Sequence, residues 1–526
     1  MVVPDVHISE RAQRFPDQVA AIDGATQAVT TFGQLDQESK RLAQFWRSIG
    51  LSRGDVVAVL MTNSARFLTV TWAAMRSGLY SVPVNWHLTA AEAAYIVANS
   101  EARALVVSSD LAGLATEIIA AVNPTKLSVL VVGEPRNGFD SYEEIIAGQP
   151  AEALADESQG ALMLYSSGTT GRPKGIKPAL PRNRFGDGEP MARMLHSTAG
   201  LDASSIYLCP APLYHSAPLG WSLASQSLGA TVVVMDRFDA EQTLALIERN
   251  RVTHAQFVPT MFSRMLKLAP EVRDRYDLSS LKYVVHAGAP CALEVKEQMI
   301  HWLGPIVHEY YGFSEGTCFF TIDSTTWLSH RGSVGKPLLG IPHILDDNGD
   351  ELGAGEIGQI WIESPIRFDY HGDVEKTAQA FNSKGWSTVG DIGWLDADGY
   401  LYLSDRRTDL IIVGGVNVYP REIEEALAAH DSVADVAVIG VPDPEMGQQV
   451  KAVVQLGEDQ SPSPALEAEL IAFCTSKLAR VKQPKSITFV AELPRLPSGK
   501  LLRRAVRDRY GTTGDTENAP ATIKYL

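Results

Sequence analysis

The sequence predicts an α/β protein with a large N-terminal part and a smaller α+β unit at its C-terminal end. Three observations carry this expectation. The 526 residues exceed what one ordinary core holds, so several domains or subdomains are expected. Up to about Asp405, short β-branched runs alternate with segments of helical periodicity. Beyond Asp405 the pattern restarts as a compact mixture of strand and helix signals, of ordinary domain size.

The runs Val56–Leu60, Ala104–Val107, Ser128–Val132, Thr231–Met235 and Tyr283–His286 read as buried strands. Ala65–Arg76, Ala240–Asn250 and Leu293–Trp302 lie among them and read as helices. Such alternation implies parallel sheets with helices on both faces. Ala161–Leu164 is a further apolar run. Pro178–Pro190 holds three prolines and two glycines and is expected to be a mobile loop. In the C-terminal unit, Leu410–Val413, Val433–Val441, Val450–Leu456 and Ile487–Val490 are strand-like, and Leu466–Leu478 is helical. Pro420–Ala429 reads as a helix because Pro opens it and Glu422, Glu424 and Glu425 fill its early turns. Gly511–Leu526 is polar and weakly patterned, and is expected to be a loose tail.

Composition excludes several classes. An apolar share of 45% and a charged share of 21% fit a globular protein. No stretch is long and apolar enough for an integral membrane segment. The first residues lack a basic segment followed by an apolar core, so no secretory signal is expected. Cys209, Cys291, Cys318 and Cys474 are widely spaced and form no CxxC pair. They suit neither a zinc site nor a disulfide framework, and a reducing cytoplasm is the expected compartment. A formal charge of −16 disfavours nucleic acid as a partner.

The chemistry concentrates in residues 165–177, Tyr-Ser-Ser-Gly-Thr-Thr-Gly-Arg-Pro-Lys-Gly-Ile-Lys. Gly168, Gly171 and Gly175 let the backbone curl. Ser166, Ser167, Thr169, Thr170 and Lys174 add hydroxyls and a point positive charge. Such a loop can wrap a polyphosphate. It is not a Walker A sequence, because Lys174 is preceded by Pro173 and followed by Gly175.

From Ser166 to Gly175 this order is similar to the phosphate loop of the adenylate-forming superfamily of acyl-CoA synthetases, firefly luciferases and peptide-synthetase adenylation domains. Six more stretches resemble that family in the right order. They are Pro212-Leu-Tyr-His-Ser, His286-Ala-Gly-Ala-Pro, Glu309-Tyr-Tyr-Gly-Phe-Ser-Glu, Trp386-Ser-Thr-Val-Gly-Asp, the run from Asp405 to Pro420, and Leu493-Pro-Arg-Leu-Pro-Ser-Gly-Lys. The resemblance runs from about residue 10 to about residue 508 and is greatest to AMP-forming acyl-CoA ligases. It implies an N-terminal domain over residues 1–404, with a small barrel-like β subdomain beside its parallel-rich sheets. It also implies a mobile α+β lid over 405–510, followed by the tail 511–526.

Attack of a carboxylate on ATP brings two anions together, so the site must supply cations and dipoles. Lys500 is suited to bridge the carboxylate and the α-phosphate, and the resemblance makes it the adenylation lysine. Glu315, assisted by Thr170, suits Mg²⁺, which binds through one or two carboxylates plus substrate phosphates. Tyr311 offers an aromatic face to adenine, and Gly288 and Ala289 allow close approach. Asp391 accepts from ribose hydroxyls, and Arg406 reaches ribose or phosphate. The resemblance adds Pro290, Glu309, Tyr310, Gly312 and Ser314 to the nucleotide set, and His215 to the catalytic one. It makes Thr408 the hinge, although many relatives carry Asp or Lys there.

From Cys209 to Met235 there is no Asp, Glu, Lys or Arg. An amino-acid substrate would bury an ammonium without a partner there, so such activation is disfavoured. Tyr214, His215, Trp221, Gly312 and Phe313 imply an apolar, partly aromatic acyl pocket. Trp221 serves equally well as plain core packing. Aryl, medium-chain and ring-bearing acids all fit. Gly414, Gly415, Lys482 and Lys485 resemble residues that meet CoA, although Gln483 stands where some relatives carry a basic residue. No carrier domain follows residue 510, which favours free CoA; an amine acceptor and amide formation is the alternative. The expected partners are thus a small carboxylic acid, ATP and CoA, with a homodimer left open.

Two other patterns compete. Gly353–Gly358 fits GxGxxG but precedes a strand-like Gln359–Glu363, so it reads as a hairpin turn. Gly312–Gly316 fits GxSxG, the signature of a serine hydrolase with Ser314 as nucleophile.

Overall fold

The computed structural model describes residues 7–122, 127–166, 173–187, 190–406, 409–413, 416–443, 446–457, 460–478, 480–495 and 501–511. It is a mixed α/β protein with a large N-terminal sheet domain and a smaller C-terminal domain.

The N-terminal domain holds two large sheets. The first orders Asp140–Ser141, Ser128–Val132, Ala102–Ser108, Val56–Leu60, Tyr80–Pro83 and Ala161–Leu162, all parallel. Its central strand Val56–Leu60 is buried throughout, as an unbroken apolar run covered on both faces must be. In the second sheet, Val19–Asp23, Thr231–Val234, Ile206–Cys209, His254–Phe257, Tyr283–His286 and Val307–Gly312 run parallel. From Val307–Gly312 this sheet continues antiparallel through Phe319–Ile322, Ser333–Leu339, Leu401–Arg406, Asp391–Leu395, Gly358–Glu363 and Ile341–Leu345. A small barrel-like β subdomain is expected in this domain; these antiparallel strands are ordered as a continuation of the parallel sheet.

The C-terminal domain is a separate sheet that begins at Ile411–Val413. Its longest strands, Val433–Asp443 and Gly447–Leu456, pair antiparallel, and Ser486–Val490 adds in parallel. The helices Pro420–Ala428 and Pro464–Lys477 close its core with Ile423, Leu427, Leu470 and Cys474. Ser463 caps the second helix by accepting from the Leu466 amide at 3.1 Å. Arg503 ties the terminal helix Arg503–Tyr510 to Glu424 at 2.7 Å.

The segment 178–187 is irregular, as expected, but it is docked rather than loose. Phe185 packs edge-on against His7 at 4.1 Å, with the Arg76 guanidinium 5.0 Å from its ring centre. Tyr80 donates to the Pro178 carbonyl at 2.6 Å and Arg53 to that of Pro181 at 2.6 Å. Arg76 is itself fully buried and held by Asp36, Glu157 and Ser39. One aromatic anchor and two captured carbonyls override the local signal of Pro and Gly.

Candidate active site

The phosphate-loop sequence belongs to a β-hairpin. Leu164–Ser166 pairs antiparallel with Lys174–Ile176, with Ser166 opposite Lys174. Ser167, Gly168, Thr169, Thr170 and Gly171, between those strands, lie outside the described residues, as does the side chain of Ser166. The second hairpin strand docks onto residues 369–371: His371 donates its amide to the Gly175 carbonyl at 2.7 Å. This brings the buried Tyr370 beneath Lys174, whose Nζ sits 4.8 Å from the ring centre. The Tyr370 hydroxyl donates to Glu315 Oε1 at 2.8 Å. Lys174, Gly175, Tyr370 and His371 line a cleft of about 200 Å³. No sequence motif contains Tyr370, so nothing in the sequence singled it out.

The strand Val307–Gly312 organises the rest. At its end Gly312 is exposed, and beyond it Ser314 is exposed and Glu315 half-buried. Gly312 is required by close approach, since a Cβ there would come within 2.9 Å of the Cys318 carbonyl oxygen. Ser314 Oγ lies 3.4 Å from the Oγ of Ser216, which opens the helix Ser216–Ser227 after the half-buried His215. Tyr311 donates its hydroxyl to Asp391 Oδ2 at 2.6 Å. Asp391 is buried and stands in register opposite Arg406, whose side chain lies outside the described residues. Past the end of the neighbouring parallel strand Tyr283–His286, Gly288 is exposed with φ +82°, a conformation that favours glycine, followed by the half-buried Ala289 and the exposed Pro290.

The side chains of two residues expected in the nucleotide set are engaged inside the protein. Successive residues of a strand point to opposite sides. Tyr310 therefore turns away from Tyr311 and packs beside Trp221 at 5.9 Å and Phe319 at 4.8 Å. Its hydroxyl accepts from the Gln256 amide at 2.7 Å. Glu309 is buried, and its carboxylate takes Lys296 Nζ at 2.5 Å, with His286 Nε2 at 3.5 Å. Burial pushes the Glu309 carboxyl up, but the Lys296 ammonium outweighs it and holds the group below the usual carboxylate range. Burial pushes His286 down to about 4. The Glu309 carboxylate is thus spent inside the protein. The period of two along this strand was the available signal for Tyr310 alone; Glu309 shares the face of Tyr311, and its pairing with Lys296 depends on tertiary placement.

In the expected acyl pocket, Tyr214 and Trp221 are buried and Phe313 is half-buried. Trp221 is 1% exposed and belongs to the core, stacked near Tyr207 and Tyr283 as well as Tyr310. The Tyr214 hydroxyl has no hydrogen-bond partner among the described residues, and burial pushes its pKa up.

Of the expected CoA residues, Lys482 is engaged with both Glu422 oxygens, at 2.8 and 2.6 Å, and Lys485 is exposed. Gly414, Gly415, the hinge residue Thr408 and Lys500 lie outside the described residues. Both flanks of Lys500 are anchored. Arg495 donates two hydrogen bonds to the Asp435 carboxylate, each at 2.6 Å, and the Leu502 amide donates to the Pro494 carbonyl at 2.9 Å.

The hydrolase pattern fails on context. A nucleophile elbow joins a strand to a helix. Here Gly312–Gly316 joins Val307–Gly312 to the antiparallel strand Phe319–Ile322. Gly353–Gly358 is the hairpin turn expected, leading into the strand Gly358–Glu363. Among the described residues, no group of three or more His, Cys, Asp or Glu has a geometry that holds a metal. Glu315 offers a single carboxylate, which suits Mg²⁺ delivered on ATP phosphates. No described helix is long and apolar enough to cross a membrane.

Site residues gathered past the C-terminal ends of the parallel strands Tyr283–His286 and Val307–Gly312, with the hairpin strand Lys174–Ile176 beside Glu315 through Tyr370, suit an adenylate-forming enzyme. Comparison with known proteins agrees. The model of the AMP-binding enzyme family matches residues 8–369, and that of its C-terminal domain matches 422–500. The chain belongs to this family. It is 34% identical to a 2-succinylbenzoate–CoA ligase of Bacillus licheniformis, over 94% of this chain and 98% of that one. It is 33% identical to a fatty acid–[acyl-carrier-protein] ligase of Streptomyces coeruleorubidus, over 95% of each. Among solved structures it resembles the amide bond synthetase McbA from Marinactinospora thermotolerans. The TM-score is 0.82 at 27% identity, over 96% of this chain and 100% of that one.

Proposed function

We propose that this protein is an AMP-forming carboxylate–CoA ligase. The observation that supports it most is convergence on the end of one strand: Tyr311 meets Asp391, Ser314 meets Ser216, and Glu315 meets Tyr370 beneath Lys174. In this reading Asp391 and Arg406 hold the ribose, and Tyr311 with Gly288, Ala289 and Pro290 borders the adenine. Residues 166–171 and Lys174 cradle the phosphates. Bound Mg²⁺ would neutralise phosphate charge, and Glu315 with Thr170 would hold it.

The first step joins the acid's carboxylate oxygen to the α-phosphorus, and pyrophosphate leaves. Lys500 stabilises the charge that develops there. His215, at the start of the helix Ser216–Ser227, orients the carboxylate. In the second step the CoA sulfur attacks the acyl carbon and AMP leaves. Residues 405–510 act as the lid that turns about Thr408 between the steps. Gly414, Gly415, Lys482 and Lys485 meet CoA, which requires Lys482 to exchange Glu422 for a phosphate.

The acid is apolar, because Cys209–Met235 offers no carboxylate for an ammonium. The relatives' names span CoA, a carrier protein and amide formation. The likeness to the amide bond synthetase keeps an amine acceptor as the second reading. A panel of carboxylic acids assayed for pyrophosphate release, with and without CoA and simple amines, separates the two. Thioester formed only with CoA supports the ligase; amide formed without CoA overturns it.

A further inference from the structure

The phosphate-loop hairpin has two legs outside its strands, and both are held at one place. Residues 157–160 lead into Ala161–Leu162 and the strand Leu164–Ser166, and residues 178–187 lead away from Lys174–Ile176. Arg53 donates from Nη1 to the Gln159 carbonyl at 3.2 Å and from Nη2 to the Pro181 carbonyl at 2.6 Å. Gln159 lies five residues before Leu164, and Pro181 five after Ile176. One guanidinium therefore closes both legs at the same distance along the chain. The Gln159 amide also donates to the Asn183 carbonyl at 3.2 Å.

Arg76 repeats the arrangement in the interior. It donates to Glu157 at 2.8 Å on the approaching leg, and its guanidinium lies 5.0 Å from the ring centre of Phe185 on the leaving one. Its carbonyl accepts from the Ser158 amide at 3.3 Å. Asp36 and Ser39, at 2.9 and 2.6 Å, fix the guanidinium itself. Bonds from a cation are the stronger ones, and a planar fork holds two acceptors at a set separation. The leaving leg contains neither helix nor strand, so these contacts, with Tyr80 on the Pro178 carbonyl, define its path.

We infer that Arg53 and Arg76 are positioning residues, a clasp at the base of the hairpin that sets the spacing of its legs and thereby the place of Lys174. Lys174 opens the leaving strand opposite Ser166, so a shift of either leg moves it against Tyr370 and Glu315. Neither arginine touches substrate. The ligand they serve is the triphosphate of ATP, so the inference rests on the adenylation reading above. A hairpin held in shape before ATP arrives has less freedom to lose on binding it. The proline-rich segment 178–187 thereby gains a role as half of the clasp.

Arg76 is fully buried and its loss threatens folding, whereas Arg53 is exposed and is the residue to change. Arg53→Ala is expected to weaken ATP binding, measured by titration calorimetry with Mg²⁺ and no acid, by about five- to tenfold. Amide hydrogen exchange in residues 174–177 should quicken while the thermal transition stays near that of the wild type. Arg53→Lys, which keeps the charge but loses the planar fork, is expected between the two. Unchanged ATP affinity in Arg53→Ala overturns the inference, even if the hairpin exchanges faster. Weaker binding that comes with a lower thermal transition and faster exchange throughout the chain overturns it as well, because that is general destabilisation. A wild type that binds no ATP overturns the adenylation reading first, and the inference with it.

Discussion

The hydroxyl of Tyr370 donates to Glu315 at 2.8 Å while its ring lies under Lys174. A buried tyrosine from the connection between the strands Gly358–Glu363 and Asp391–Leu395 thus joins the hairpin strand Lys174–Ile176 to Glu315, the carboxylate proposed above to hold Mg²⁺. Tyr370→Phe keeps the ring under Lys174 and deletes only the bond. Loss of one bond to a charged group is worth about 1.5–3 kcal/mol. The variant is expected to lose roughly tenfold or more in kcat for pyrophosphate release. Unchanged kcat would show that Glu315 is oriented by other contacts.

Asp391 is buried, accepts from Tyr311 and faces Arg406 in register. Asp391→Asn keeps the shape and removes the charge that two ribose hydroxyls would meet. An increase of about tenfold in the KM for ATP is expected, with the KM for the acid little changed. Parallel rises in both would contradict a ribose role.

Lys296 and Glu309 form a buried pair beside His286. Lys296→Met leaves an uncompensated buried carboxylate, at a cost of about 3–5 kcal/mol. Adding Glu309→Gln should recover much of this loss in chemical denaturation. A double variant as unstable as the single one would mean that packing, not charge, governs the position.

Three histidines resist protonation in the folded chain: His286 and His308 at about 4, and His7 at about 3, each lowered chiefly by burial. The unfolded chain binds these protons near the ordinary value of 6.5. Stability therefore rises with pH through this window. It is fully present above about 6.5 and is lost progressively as the pH falls toward 4, by up to about 1.4 kcal/mol per pH unit for each proton. Thermal transitions between pH 7 and 4.5 should fall steadily, and His308→Gln should flatten the slope. A slope unchanged in that variant would remove His308 from the account.

Periodicity made much of the fold legible. The helices Ala65–Arg76 and Ala240–Asn250 and the strands Val56–Leu60, Ser128–Val132 and Tyr283–His286 begin and end where the sequence pattern says. Contiguous motifs found the site but not its facing. Glu309, Tyr310 and Tyr311 are adjacent in one motif, yet the pleat sends Tyr310 to Trp221 and leaves Tyr311 on Asp391. The Glu309 pair with Lys296 and the reach of Tyr370 to Glu315 depend on tertiary placement, which no local pattern encodes. Phe185 shows the same effect, because its anchor residues His7 and Arg76 lie far away in the chain.

The central claim is that this site makes an acyl-adenylate before any thiol enters. Acid-dependent exchange of labelled pyrophosphate into ATP, measured without CoA, tests it most directly. The account predicts exchange with an apolar carboxylic acid, its near-complete loss in Lys500→Ala, and retained thioester formation by that variant from supplied acyl-adenylate. Release of ADP and phosphate, or no exchange with any acid in the presence of Mg²⁺, would contradict it.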